Sequence, residues 1–131
     1  MENLYIEETE TTPYINFNSE TGEFKLEGKS VPAAAEDFYC NVLDWLDEYL
    51  AHPQEMTKMS LKLDYFNIAS SKRILYILYK LNELVENGFK VQVSWYYIEE
   101  EDDMLEVGED FAFMVKIPFE FIAYNPFTKA V

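Results

Sequence analysis

The chain has 131 residues but only one cysteine, one histidine, one arginine and four glycines. Each scarcity removes a class of chemistry. Cys40 alone can neither close an intrachain disulfide nor supply a thiolate zinc site, and one cysteine fits a reducing compartment. It falls on the first predicted helix, where a small core or boundary residue is expected. His52 stands at the far end of that helix, about three turns away, beyond the reach of a Cys–His dyad. None of the four glycines falls into a dinucleotide-binding or phosphate-loop spacing. Positive charge is scarce too: ten Lys and Arg against 25 Asp and Glu give a formal net charge of −15. So acidic a surface repels phosphate backbones and anionic lipid, which argues against nucleic acid or membrane as partners. No apolar run approaches the roughly 18 residues of a membrane span, and the N-terminus lacks the basic and apolar regions of a secretory leader; a cytoplasmic protein is expected.

What the chain does have is apolar mass. Hydrophobic residues make up 49% and aromatics 17%, enough for one domain spanning residues 1–131 without cross-links, and too short a chain for two cores. Residues 1–13, acidic and Thr-rich, suggest an arm or an irregular edge segment. Residues 14–17 and 23–26 alternate polar with apolar around the turn formers 18–22, a β-hairpin pattern. A helix follows, with Phe38, Val42, Trp45, Leu46, Tyr49 and Leu50 at helical spacing, ended by His52-Pro53.

Residues 59–65 alternate strictly and predict a strand. A second helix is expected to start at Ser70 or Ser71 as N-cap, carry Ile74, Ile77, Leu78, Leu81 and Leu84, and stop at Asn87-Gly88. Residues 89–95 predict a strand parallel to the earlier one. The five consecutive acids Glu99 to Asp103 read as a solvated loop rather than a calcium loop, since they lack the alternating ligands and central glycine. A short helix over 104–115, with Leu105, Phe111 and Phe113 or Met114 inward, and a strand over 117–124 complete the chain. The expected class is α/β, a two-layer domain with a mixed sheet. Strands buried on both faces read as continuous apolar runs. Here Lys62, Asp64, Lys90, Gln92 and Ser94 alternate with apolar residues, so the helices are expected mainly on one face, leaving a polar face open.

Carboxylates are too numerous for any pair to mark a hydrolytic site, so no catalytic, cofactor-binding or metal-ligating residue is assigned. The aromatics are more informative. Trp95 is expected in the core, whereas Tyr76 and Tyr79 lie off the second helix's apolar stripe, where tyrosines often mark interfaces.

Several separated segments resemble the SiaC-type regulatory phosphoprotein family: Thr12-Pro13 with Phe17-Asn18, Gly28-Lys29-Ser30-x-Pro32, Phe38-Tyr39, Trp45-Leu46 with Tyr49, Tyr65-Phe66-Asn67-x-x-Ser70-Ser71-Lys72, Trp95-Tyr96-Tyr97 and Asp103-Met104-Leu105-Glu106 with Gly108-Glu109. The resemblance implies a small STAS-like adaptor, akin to anti-sigma-factor antagonists, without catalysis of its own. It implies phosphorylation by a dedicated serine/threonine kinase, reversal by a PP2C-like phosphatase, and activation of a diguanylate cyclase by the unphosphorylated form. In the family pattern Tyr-Phe-Asn-Thr-Ser-Ser the modified Thr follows Asn; here that position is Ile68, which has no hydroxyl.

Ser70 and Ser71 are therefore the candidate phosphoacceptors, at a helix start that favours anions and beside Lys72-Arg73, the only adjacent basic pair. Tyr65, Asn67, Ile68, Lys72, Arg73, Tyr76 and Tyr79 form the candidate partner surface. Two alternatives stand beside the phosphorylation switch: a constitutive binding module, and, from another class, a carboxylate-dependent hydrolase.

Overall fold

The computed structural model describes residues 1–127. Six strands, β1 (Leu4–Ile6), β2 (Tyr14–Phe17), β3 (Glu23–Ser30), β4 (Met56–Phe66), β5 (Lys90–Ile98) and β6 (Phe119–Tyr124), form one sheet in sequential order. The first three run antiparallel; β3 through β6 are parallel. Parallel neighbours need crossovers, and these are α1 (Ala35–Ala51), α2 (Ile68–Glu86) and α3 (Asp102–Met114).

Alternation decides the layers. Phe24 and Leu26 of β3, Met59, Leu61 and Leu63 of β4, and Val91, Val93 and Trp95 of β5 point to one face and are buried there with Tyr39, Val42, Leu46 and Tyr49 of α1 and Ile74, Ile77, Leu78 and Leu81 of α2. α3 joins the same layer: Phe111 meets Trp95 edge-on, with ring centroids 5.6 Å apart, and the indole N–H of Trp95 donates to the carbonyl of Met104 at 2.9 Å. All three helices among the described residues thus cover one face, and none of them lies over the expected polar face carrying Lys62, Asp64, Lys90, Gln92 and Ser94.

Several details depart from the sequence-based expectation. The N-terminal segment lies at the sheet edge, one of its two expected places, and is no free arm: β1 pairs with β2, Leu4 and Ile6 pack partly on the core, and the Trp45 indole N–H donates to the Glu2 carbonyl at 2.8 Å. Three alternating residues are too few to show as a pattern. The acidic run divides, with Glu99-Glu100 in a turn and Asp102 and Asp103 in the first turn of α3, where carboxylates favour the helix dipole. Phe113 and Met114 face outward, at 94% and 53% exposure. The inward face of α3 is set instead by Met104, Val107, Gly108 and Phe111. Cys40 is exposed, because Tyr39, its neighbour in sequence, takes the inward position.

Candidate functional site

β4 delivers the chain to its C-terminal end with Tyr65 58% exposed and Phe66 half-buried. Asn67 then changes direction. Its backbone is extended, its N–H donates to the Ser30 carbonyl at 3.1 Å, and its Oδ1 accepts from the Ser70 N–H at 2.9 Å. An asparagine in that geometry is an N-cap. α2 therefore begins at Ile68, earlier than the expected Ser70 or Ser71 cap. The hydroxyl of a serine offered one route to satisfy the first helix N–H groups; the Asn67 amide supplies another, and the tight contact with β3 selects it.

This shift separates the two candidate phosphoacceptors. Ser70 turns inward and is fully buried. Its Oγ accepts from Ser30 Oγ at 2.9 Å, and Ser30 is in turn 2.6 Å from the Tyr39 hydroxyl. The chain Tyr39–Ser30–Ser70 ties α1, β3 and α2 together at one end of the sheet. Burial pushes the Tyr39 phenol up to about 12, partly offset by the Ser30 hydrogen bond, because the charged phenolate finds little solvation there. Ser71 is half-buried, and its N–H donates to the Asn67 carbonyl at 2.9 Å. Sequence reasoning placed Ser30 and Tyr39 among the family-like segments but assigned them no contact with Ser70; residues 30, 39 and 70 are too far apart in sequence for periodicity to join them.

Ile68, the first helical residue, is 90% exposed. A large aliphatic side chain left in water on a rigid helix start has no packing role of its own. Along the next two turns Arg73 reaches toward α1, with its guanidinium 3.7 Å from a Glu36 carboxylate oxygen. The Arg73 guanidinium carbon lies 5.5 Å from the Tyr76 ring centroid and Lys72 Nζ lies 5.9 Å from it, a cation–π arrangement. Arg73 Nε is buried without a hydrogen-bond partner among the described residues. Tyr76 is half-buried beneath these cations, and Tyr79 is exposed. Tyr76 and Tyr79 border a shallow groove between α1 and α2, which Lys80 and Asp47 bridge as an ion pair at 2.5 Å. The structure therefore brings Lys72, Arg73, Tyr76 and Tyr79 together on the outer side of α2, with Ile68 one turn before Lys72, Asn67 engaged as the cap, and Tyr65 at the end of β4. Among the described residues no group of three or more His, Cys, Asp or Glu is placed to hold a metal ion.

The profile of the "SiaC family regulatory phosphoprotein" matches residues 6–124. The chain belongs to the SiaC family. Similar proteins include an uncharacterized protein of Pseudomonas aeruginosa strain UCBPP-PA14, 30% identical over 125 residues, which span 95% of this chain and 99% of that one. Among solved structures, apo-SiaC from Pseudomonas aeruginosa superposes with a TM-score of 0.86 at 30% identity, over 94% of this chain and all of that one. SiaC in complex with the diguanylate cyclase SiaD, which it activates, superposes with a TM-score of 0.87 at 30% identity, over 92% and 99% of the two chains. The likeness runs through the helices and the sheet alike, so this SiaC-family member has a SiaC-like mixed α/β fold and is a regulatory protein by family.

Proposed function

We propose that this chain is a non-enzymatic adaptor that binds and activates a diguanylate cyclase through the surface between Tyr65 and Tyr79. The carrying observation is Ile68, 90% exposed at the first position of α2; the existence of a SiaC–cyclase complex supports the class of partner. Burying an isoleucine side chain is worth about 1.5–3 kcal/mol, and the neighbouring Tyr65 extends the apolar contact. In the regulated form of this reading, a serine/threonine kinase phosphorylates Ser71 and a PP2C-like phosphatase reverses it. Phosphate would add roughly −1.5 to −2 charges beside an apolar contact and eject the partner. Lys72 and Arg73 stand next to Ser71 in sequence and would receive the phosphate.

A second reading, constitutive binding, draws on the burial of Ser70 and the missing hydroxyl at Ile68. One experiment separates the two. The purified chain is incubated with the kinase and ATP, weighed intact, and assayed for stimulation of cyclic-di-GMP synthesis by the host's cyclase. Added phosphate that disappears in Ser71→Ala, together with lost stimulation, supports the switch. Stimulation with no phosphate added supports the constitutive adaptor. Absence of stimulation by the unmodified chain sinks both.

A further inference from the structure

The first turn of α2 reverses the usual placement of polar and apolar side chains. Ile68 is 90% exposed, Ala69 is exposed too, and Ser70 is fully buried. Farther along, Ile74, Ile77, Leu78, Leu81 and Leu84 form the buried stripe of the helix, and Ser70, one turn before Ile74, stands in line with it. The body of α2 therefore sets the direction of the first turn for as long as that turn stays helical. No apolar side chain in the turn itself holds it down, because the first buried aliphatic residue of the helix is Ile74. Helix ends with so little packing fray readily.

Hydroxyl groups supply the missing hold. Ser30 Oγ donates to Ser70 Oγ at 2.9 Å and lies 2.6 Å from the Tyr39 hydroxyl. With the Ser30 proton directed at Ser70, the Tyr39 O–H donates to Ser30. All three residues are fully buried, so bulk water does not compete for these bonds. The Asn67 cap works within the helix, through the N–H groups of Ser70 and Ser71. Its own N–H reaches the Ser30 carbonyl, so both polar routes from the turn to the sheet end on Ser30, the last residue of β3. Tyr39 extends the fastening to α1, which α2 meets again where Arg73 stands 3.7 Å from Glu36.

We infer that Tyr39, Ser30 and Ser70 are positioning residues for the surface around Ile68: their hydroxyl chain keeps the first turn of α2 wound against the sheet, and with it the side chains that the turn presents to a partner. The role of that surface rests on the function proposed above; the hold itself stands on geometry alone. Two effects oppose a wound turn here. Water disfavours the exposed isoleucine, and every residue kept in order costs conformational entropy. The buried chain offsets both, since unwinding would take from the Ser30 hydroxyl its acceptor while Ser30 stays buried at the end of β3. A helix start that displays an isoleucine and buries a serine breaks the local rule for helices, and such conflicts gather at functional positions.

Native-state amide hydrogen exchange of the full chain, read by nuclear magnetic resonance, tests the hold. Ser70→Ala and the triple variant Tyr39→Phe/Ser30→Ala/Ser70→Ala, which leaves no hydroxyl of the chain unmatched, are compared with the native protein. Alanine has the higher helix propensity, so a Ser70 that served only its own helix would be replaced with slower exchange at positions 70 and 71. A positioning role predicts the opposite: exchange at these two amides about tenfold or more faster, relative to the Leu78 and Leu81 amides that report global unfolding. Calorimetry with the host's diguanylate cyclase gives the second readout, an affinity about fivefold or more weaker in both variants. Circular dichroism confirms that each is folded, and Ser70→Ala alone decides where the triple variant does not fold. Exchange at positions 70 and 71 that is unchanged or slower overturns the positioning role, as does a loosened turn with native cyclase affinity. A native chain that binds no cyclase sinks the proposed function instead, and the exchange rates still decide whether the chain holds the turn.

Discussion

Ile68 and Ser70 are two residues apart in sequence and opposite in environment, one 90% exposed and the other fully buried. Their contrast yields a clean substitution. Ile68→Asp places a carboxylate at the first position of α2, where the dipole favours it by about 0.3–1 kcal/mol, so the melting temperature should hold or rise slightly. On the proposed binding mode, affinity for a diguanylate cyclase should nonetheless fall about tenfold or more, measured by calorimetry; unchanged affinity would remove Ile68 from the proposed contact. Tyr39 makes a second prediction at this scale. Its phenol is raised from 10.0 to about 12 in the folded protein, so above pH 10 the unfolded chain loses this proton first. Stability from this group is complete below pH 10 and falls as pH rises toward and through 12, by about 2–3 kcal/mol in all. Denaturant unfolding over that range should show a steeper alkaline loss in the native chain than in Tyr39→Phe. At neutral pH the same substitution should cost about 1 kcal/mol for the lost hydrogen bond.

At the scale of elements, α3 is placed by one close approach. A Cβ built on Gly108 would lie 2.5 Å from Trp95 Nε1 and 2.6 Å from two carbons of the same ring. The indole also donates to the Met104 carbonyl and meets Phe111, both on the same face of α3 as Gly108, so it retreats only by giving up these contacts. Gly108→Ala should therefore lift α3 from β5 and cost about 1–3 kcal/mol, as overpacked cores do. The near-ultraviolet dichroism of Trp95 should weaken while the far-ultraviolet spectrum holds; an unperturbed tryptophan signal would contradict this placement. α2 shows the converse case, in which a polar residue outside the helix sets its start. Helical spacing in the sequence marked the body of α2 correctly, but Ser70, Ser71 and Asn67 are all competent caps. Which one acts depends on the contact between Asn67 and the Ser30 carbonyl, supplied by the end of β3.

For the whole molecule, the strongest influence beyond packing is the net charge of −15. Like charges crowded on the helical layer oppose the compact state, and salt screens them. The melting temperature should rise as sodium chloride is raised from low to physiological concentration, and charge reversal of open-face lysines should enlarge that rise by adding to the same imbalance. A melting temperature that falls with salt would show instead that attractive pairs outweigh the repulsion.

The order of strands and helices from residue 14 onward, the two-layer packing and the open polar face were legible in the sequence, because periods of two and 3.6 residues record which side of an element meets the core. The family resemblance was legible as well, in short segments spread along the strands, the helices and the turns between them. What only the tertiary structure decided were pairings between distant residues: β1 against β2, Asn67 against Ser30, Gly108 against Trp95, and Tyr39 with Ser30 and Ser70. Those contacts turned Ser70 inward, Cys40 and Phe113 outward, and left Ile68 on display. Periodicity reports a residue's face on its own element, whereas burial at the ends of elements depends on which neighbour arrives there, and that is a property of the folded chain.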